Sequence, residues 1–208
     1  PVQRLKTEET QSTAGFPYLP VALRVSFVLL SHGGRATCQA FCNPFMDTDL
    51  RLSPSSIGFI TGAGQFVAIL VPLLAPRLTE RFSKGHIMMM TNLCAGLSLL
   101  PLALMPHWIT VTIARLGVLA LSALWLPVLQ VFQMELVGNR WRSLAYSIVS
   151  MAMALSFGSV SLAGGYIAAT WGYERLFLLG VGFYITGGCL MWGLLKMSLL
   201  QPVAVGLD

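Results

Sequence analysis

Charge is scarce in this chain of 208 residues: charged residues make up 10% of it, against 55% hydrophobic. A soluble domain carries about 25% charged residues, and a chain with so few cannot cover a water-facing surface. The mean hydropathy of +0.73 agrees, so the solvent of most of the chain is lipid. The same shortage excludes disorder and collagen, which need polar or periodic composition. A net charge of +5 and a pI near 9.3 do not argue for nucleic acid. Basic residues of a membrane protein gather on its cytoplasmic loops and raise the pI by themselves, so no nucleic-acid partner is expected.

Acids are scarcer than bases. All eight are Glu8, Glu9, Asp47, Asp49, Glu80, Glu135, Glu174 and Asp208, and none falls in the middle of an apolar stretch. Proton relays commonly use buried Asp, Glu or His. Only His32 offers a proton-titrating group at depth, with neutral packing or hydrogen bonding as the alternative. Cysteine is also sparse: Cys38, Cys42, Cys94 and Cys189 all lie in apolar stretches, which argues against a secreted disulfide framework. Cys38 and Cys42 share a helix face. Without a Cys-x-x-Cys or histidine pattern, helix packing and no metal site are expected. The chain also lacks a Ser/His/Asp set, a His-x-x-x-His pair, a phosphate loop and a buried acid pair, so neither enzymatic activity nor a cofactor is expected. The first twenty residues hold Arg4, Lys6, Glu8 and Glu9 but no apolar core, unlike a signal peptide. An opening at Pro1 is expected from processing of a longer protein or from loss of an initiator methionine.

A membrane helix needs about 20 mostly apolar residues. Six stretches qualify, at 19–46, 57–76, 86–105, 108–134, 143–169 and 175–195. They form a bundle over 19–197, between a cytoplasmic N-terminal segment, 1–18, and a cytoplasmic tail, 198–208. The connections are short and polar, so sequence neighbours run antiparallel. One side carries nine basic residues: Arg4, Lys6, Arg24, Arg77, Arg81, Lys84, Arg140, Arg142 and Lys196. The other carries Arg51 and Arg175, while Arg35 and Arg115 lie within spans. This bias places both termini in the cytoplasm, which requires an even number of crossings, and the expected location is the cell (inner or plasma) membrane. Gly58 and Gly62 predict a close-packing face on the second span, and Gly158, Gly164 and Gly165 on the fifth. Pro44, Pro72, Pro101 and Pro127 are expected to bend or interrupt their helices.

Three segments have a familiar order. Asn43-Pro44-Phe45 ends the first span and leads through Leu52-Ser53-Pro54-Ser55-Ser56-Ile57-Gly58 into the second. Pro76-Arg77-Leu78-Thr79-Glu80-Arg81-Phe82-Ser83-Lys84 joins the second to the third. Gly164-Gly165-Tyr166-Ile167 precedes Trp171-Gly172-Tyr173-Glu174-Arg175-Leu176-Phe177 near the end. Together they resemble the C-terminal six-helix half of a major facilitator superfamily transporter. The second segment is similar to that family's G-x-L-x-D-R-x-G-R loop, with Glu80 for the Asp, Arg81 matching, Lys84 for a basic residue, and Pro76 and Ser83 where glycines stand.

The resemblance implies an all-α membrane protein of six transmembrane helices, arranged as two inverted three-helix repeats. The six spans would be helices seven to twelve, since the chain ends soon after the last. The first and fourth spans would line a central cavity. Glu80, Arg81 and Lys84 would form a cytoplasmic gating loop. Beyond the lipid bilayer, the implied partners are a missing N-terminal six-helix half, or a second copy of the chain, and a small-molecule substrate.

Intramembrane charge is costly and points to function. Arg35 stands thirteen residues from Ala22 and eleven from Met46, roughly 20 Å and 17 Å at a 1.5 Å rise, near the midplane. Arg115 is seven residues from Trp108, roughly 10 Å from the outer end, where snorkelling is an alternative. Ser31, Arg35, Gln39 and Cys42 or Asn43 form a polar stripe on the first span; Thr112, Arg115, Ser122, Gln130 and Gln133 form a broad polar face on the fourth. Arg35 and Gln39 are expected to face a groove between these two spans.

The cavity residues are thus Arg35, Gln39, Asn43, Gln65, Arg115 and Ser122. The expected function is secondary active transport of a small organic solute, with an anion as the candidate, by alternating access. The alternatives are a drug-type exporter of amphipathic compounds in which Arg35 is structural, and a non-transporting six-span scaffold or accessory subunit.

Overall fold

The computed structural model describes residues 18–105, 107–136 and 142–196, and all regular structure among them is helical. The long helices are α1 (Tyr18–Thr48), α2 (Pro54–Leu70), α4 (Lys84–Leu104), α5 (Trp108–Leu136), α6 (Arg142–Trp171) and α7 (Tyr173–Lys196), and a short α3 (Ala75–Arg81) follows α2. The start of α2 is set locally: Ser53 is extended, its hydroxyl accepts from the Ser56 amide, and Pro54 occupies the first turn, where its missing N–H costs nothing.

Among the described residues, five segments are long and apolar enough to cross a membrane: Pro54–Arg81, Lys84–Leu104, Trp108–Gln133, Arg142–Trp171 and Tyr173–Lys196. The sixth expected span, α1, forms as a helix of 31 residues but is not among them. Arg24, Ser31, His32, Arg35, Gln39 and Asn43 make it more polar than the others.

Several boundaries differ from expectation. The second span does not end at residue 76. Pro72 converts one turn to 3-10 helix, Val71–Leu74, and the chain then continues helically to Arg81. Proline removes a backbone donor and crowds the preceding carbonyl, and a 3-10 turn absorbs both without ending the rod. The connection to α4 therefore shrinks to Phe82 and Ser83. By contrast, Pro44, Pro101 and Pro127 sit inside continuous α-helices and interrupt nothing. Between α6 and α7 the expected loop at 170–174 reduces to Gly172, whose φ of +86° reverses the chain. A side chain at that φ would be strained, so the tight corner requires glycine. The connection around Asn139 and Arg140, and both terminal segments, lie outside the described residues.

In the bundle, α1 packs on α6 and α7, α5 packs on α2 and α4, α4 and α7 lie side by side, and α1 meets α5 across the centre. Glycines permit the close approaches. A Cβ at Gly164 would meet the Phe41 ring at 2.6 Å, and one at Gly180 would meet Thr37 Cγ2 at 3.0 Å. The expected packing face at Gly58 and Gly62 is not used, because nothing lies within 4 Å of a Cβ at either. Gly158 and Gly165 are equally open; Gly64 and Gly164 are the packed positions on their helices.

Candidate functional site

The apolar core divides into two clusters. One holds Cys38, Phe41, Phe45, Leu99, Leu102, Val111, Val118, Phe177 and Tyr184. The other holds Phe27, Val28, Met88, Trp125, Leu129, Met191 and Leu194. On each long helix that joins both clusters, polar or small residues lie between them: Ser31 to Arg35 on α1, Thr91 and Asn92 on α4, Ser122 on α5, Ser156 on α6, Gly187 and Gly188 on α7. This polar layer crosses the middle of the bundle and is the candidate site.

Part of the layer is satisfied internally. Asn92 Nδ2 donates to Ser31 Oγ at 2.8 Å, joining α4 to α1, and Ser156 Oγ donates to the Leu29 carbonyl at 2.8 Å, joining α6 to α1. A polar group taken out of water needs such partners, since an unpaired one costs several kcal/mol in hydrocarbon.

Arg35 is only partly satisfied. It is 3% exposed. Its Nε donates to Ser122 Oγ at 2.9 Å, and its Cζ lies 3.6 Å from the ring centroid of Trp125. Yet neither terminal nitrogen of the guanidinium has a hydrogen-bond partner among the described residues. Around it, His32 Nδ1, Trp125 Nε1 and the Tyr184 hydroxyl are also buried and unpartnered. Among the described residues the layer thus leaves the N–H donors of Arg35 and Trp125 unused, beside an unused acceptor at Asn92 Oδ1.

The expected shared face of Arg35 and Gln39 does not form. Ser31, Arg35 and Cys42 are buried, whereas Gln39 and Asn43 are exposed. Each four-residue step turns a helix by about 400°, so a stripe built on such steps drifts about 40° per residue pair. Arg35 consequently points into the bundle, while Gln39 and Asn43 point out. Across from Asn43, Thr61 Oγ1 of α2 donates to Asn43 Oδ1 at 3.5 Å. Gln65, one turn further along α2, is also exposed.

Arg115 is 5% exposed, and its Nη1 donates to the Cys38 carbonyl at 3.0 Å. It bonds backbone rather than snorkelling outward. His32 is half-buried. Glu80 and Arg81 are exposed at the end of α3, and Lys84 opens α4. Trp125, Tyr184 and Asn92 are the functional candidates that sequence reasoning missed. Asn92 had a signal, an amide in the middle of an apolar span. Tyr184 and Trp125 had none, since aromatic residues are ordinary in membrane helices.

Neither curated proteins nor solved structures offer a match to this chain. A family model does match, over residues 25–203, from the first turns of α1 to beyond the end of α7, and it is that of the Major Facilitator Superfamily. With the helical bundle and the five segments long and apolar enough to cross a membrane among the described residues, the chain is an integral membrane protein that belongs to the major facilitator superfamily of transporters.

Proposed function

We propose that this chain forms one half of a secondary active transporter for a small organic anion, and that the anion is taken by Arg35. The observation that carries this reading is the pair of unpartnered Nη groups on a fully buried guanidinium. A buried cation without a counter-charge is expensive, and the adjacent donors make an incoming acceptor the economical remedy. Arginine suits a carboxylate or phosphate because its planar fork donates two parallel bonds. Ser122 orients the fork through Nε. The exposed Gln39, Asn43 and Gln65 mark the route by which a solute approaches the layer, His32 is the candidate proton-titrating group beside Arg35 in a proton-coupled cycle and otherwise a neutral hydrogen-bonding side chain, and Glu80, Arg81 and Lys84 gate the cytoplasmic end.

The transport cycle proposed is alternating access, with this bundle rocking against a partner, either an N-terminal six-helix half or a second copy. Six crossings and two inverted repeats complete the picture. The packing supports the repeats: exchanging α1, α2 and α4 for α5, α6 and α7 turns each principal pairing into another observed pairing. An odd number of crossings per repeat inverts the second repeat in the membrane. The nine-to-two distribution of basic residues supports termini in the cytoplasm, and the cell membrane is the proposed location.

Topology is tested by labelling single cysteines in a background with Cys94 and Cys189 replaced by serine. Asp49→Cys and Thr170→Cys are expected to react with an impermeant maleimide from outside, and Lys84→Cys and Asn139→Cys only after permeabilisation. Reaction of Lys84→Cys from outside would overturn the six-crossing model.

The anion site is tested by thermal stabilisation of the purified protein with carboxylated and phosphorylated solutes against their neutral analogues. A ligand that binds only the folded state raises the melting temperature, and at a fixed concentration the rise grows with the logarithm of its affinity. Arg35→Gln is expected to remain folded and to weaken anion binding by about 10- to 150-fold, the worth of one hydrogen bond to a charged group, about 1.5–3 kcal/mol. Arg35→Lys keeps the charge but loses the fork and is expected to bind weakly too.

The cover that Trp125 and Ser122 place over Arg35 favours a second reading, an exporter of amphipathic compounds in which Arg35 ties α1 to α5. Unchanged transport in Arg35→Gln selects that reading, and failure of Arg35→Gln to fold assigns Arg35 a purely structural role.

A further inference from the structure

α2 and α4 each pack on α5, and between α3 and α4 they leave an open slot of about 290 Å³. Leu78 and Phe82 form one wall, Ile87, Met90 and Cys94 the other, and Leu124 lies on the floor. Thr91 also lines the slot, but its hydroxyl donates to the Met88 carbonyl at 3.0 Å, so the wall is apolar along its length. Only at the end nearest the α3–α4 connection does a polar side chain, the exposed His86, reach the rim.

The dimensions separate the possible occupants. Cys94 lies ten residues beyond Lys84, the first residue of α4, roughly 15 Å along the axis. That is about half of the hydrocarbon core of a bilayer, the depth of one leaflet. About 290 Å³ over that length leaves a cross-section of roughly 20 Å², room for one extended hydrocarbon chain. A helix, about 10–12 Å across with its side chains, needs at least about four times as much.

The mouth supplies the second half of a lipid. There the slot meets another hollow, of about 400 Å³, with Leu78 and Phe82 as shared walls. Arg77, Glu80 and Arg81 line this hollow and are exposed. Arg77 and Arg81, four residues apart, share a face of α3. Two arginines and one glutamate leave a net charge of +1. This complements the single negative charge of a phosphodiester, while Glu80 opposes the second charge of a phosphomonoester. Guanidinium forks donate well to phosphate oxygens, and basic pockets beside membrane helices take anionic headgroups.

We propose that the slot between α3 and α4 binds one acyl chain of an anionic glycerophospholipid, with Arg77 and Arg81 holding its phosphodiester. The site does not rest on the anion reading at Arg35, since none of the six cavity residues assigned to the solute lines it.

Cys94 makes the test possible on the unsubstituted chain. The full chain is placed in phosphatidylcholine nanodiscs with a trace of phosphatidylglycerol carrying a maleimide at the end of one acyl chain. Cys94 and Cys189 are both exposed, whereas Cys38 and Cys42 are buried. Cys94 is expected to react in preference to Cys189. Excess unlabelled phosphatidylglycerol is expected to suppress the reaction, and neither phosphatidylcholine of the same chains nor glycerol phosphate is expected to do so. Arg77→Gln and Arg81→Gln are each expected to weaken that suppression by about 5-fold, and together by about 30-fold, from the usual contribution of one basic residue at an anionic lipid surface. Equal reaction of Cys94 and Cys189 would show that no chain is held in the slot. Equal suppression by phosphatidylcholine would mean that the charge is not read, and suppression by glycerol phosphate would make the hollow a site for free anions. Reaction that appears only after residues 198–208 are removed would make the tail the occupant. Each of these four results would overturn the proposal.

Discussion

Gly34→Ala is expected to destabilise the bundle by about 1–3 kcal/mol, the usual cost of overpacking a filled core. A Cβ at Gly34 would lie 2.6 Å from Tyr184 Cδ2 and 2.8 Å from both Cε2 and Cγ, inside any tolerable contact. The ring has little room to withdraw. Tyr184 is fully buried, and on another side a Cβ at Gly96 would already meet Tyr184 Cβ at 3.1 Å. Tyr184 of α7 is therefore wedged between glycines of α1 and α4, and one methyl group must displace a ring or separate two helices. Gly58→Ala and Gly62→Ala, with nothing within 4 Å, are expected to change stability by less than about 0.5 kcal/mol, as surface substitutions do. Unfolding midpoints of the three variants in one detergent check the contrast. In a Tyr184→Ala background the penalty of Gly34→Ala is expected to vanish, because contacting residues are non-additive. A penalty that persists there would show that Gly34 matters for its backbone rather than for the ring.

That contrast also marks what could be read from the sequence. Helix number and order follow from apolar runs and short polar connections, and all six long helices form within a few residues of expectation. What spacing could not supply is which face of a helix is covered. Gly58 and Gly62 have the small-x-x-x-small pattern of a packed interface, yet the packed glycine on α2 is Gly64, beneath Leu119. The pattern states that close approach is possible, and only the partner helix decides where it happens. The stripe on α1 failed for a related reason. Ser31, Arg35, Gln39 and Asn43 read as one face when counted in fours, but the accumulated drift carries its end out of the bundle, which separates Arg35 from the exposed amides.

The prolines do not all act alike. Only Pro72, within the run Leu70–Ala75, turns the helix to 3-10, whereas Pro101 and Pro127 ride inside α-helices. Neighbouring helices and local adjustment can satisfy the carbonyl that each proline frees, and a sequence does not show those neighbours. The polar layer was legible only in part. Arg35, Ser31 and Ser122 stood out as polar residues at depth. Asn92 needed its partner Ser31 to become meaningful, because a lone amide in a span is either a helix tie or a ligand group. Tyr184 became part of the layer only once α7 was packed against α1.

Trp125 holds the layer closed, and its replacement is expected to have the largest effect on stability of any single change in the bundle. It is 1% exposed, its ring covers the Arg35 guanidinium at 3.6 Å, and it lies 6.4 Å from the Phe27 ring. Trp125→Ala removes a large buried side chain, at about 3–5 kcal/mol, and strips the cation of its aromatic face, where a desolvated cation–π contact contributes about 2 kcal/mol or more. The two losses overlap and do not sum. They are separable by size and by π-character. Trp125→Phe keeps a ring face with less volume, whereas Trp125→Leu keeps apolar bulk without a face. The expected order of stability is wild type, then Trp125→Phe, then Trp125→Leu, then Trp125→Ala, read from unfolding midpoints in detergent. Combining Trp125→Leu with Arg35→Gln isolates the cation–π part, because without the guanidinium the leucine has no charge to leave uncovered. The cost of Trp125→Leu is then expected to fall by about 2 kcal/mol relative to its cost beside Arg35. Equal costs in the two backgrounds would mean that Trp125 only fills space, and that the charge of Arg35 is stabilised by something other than the ring above it.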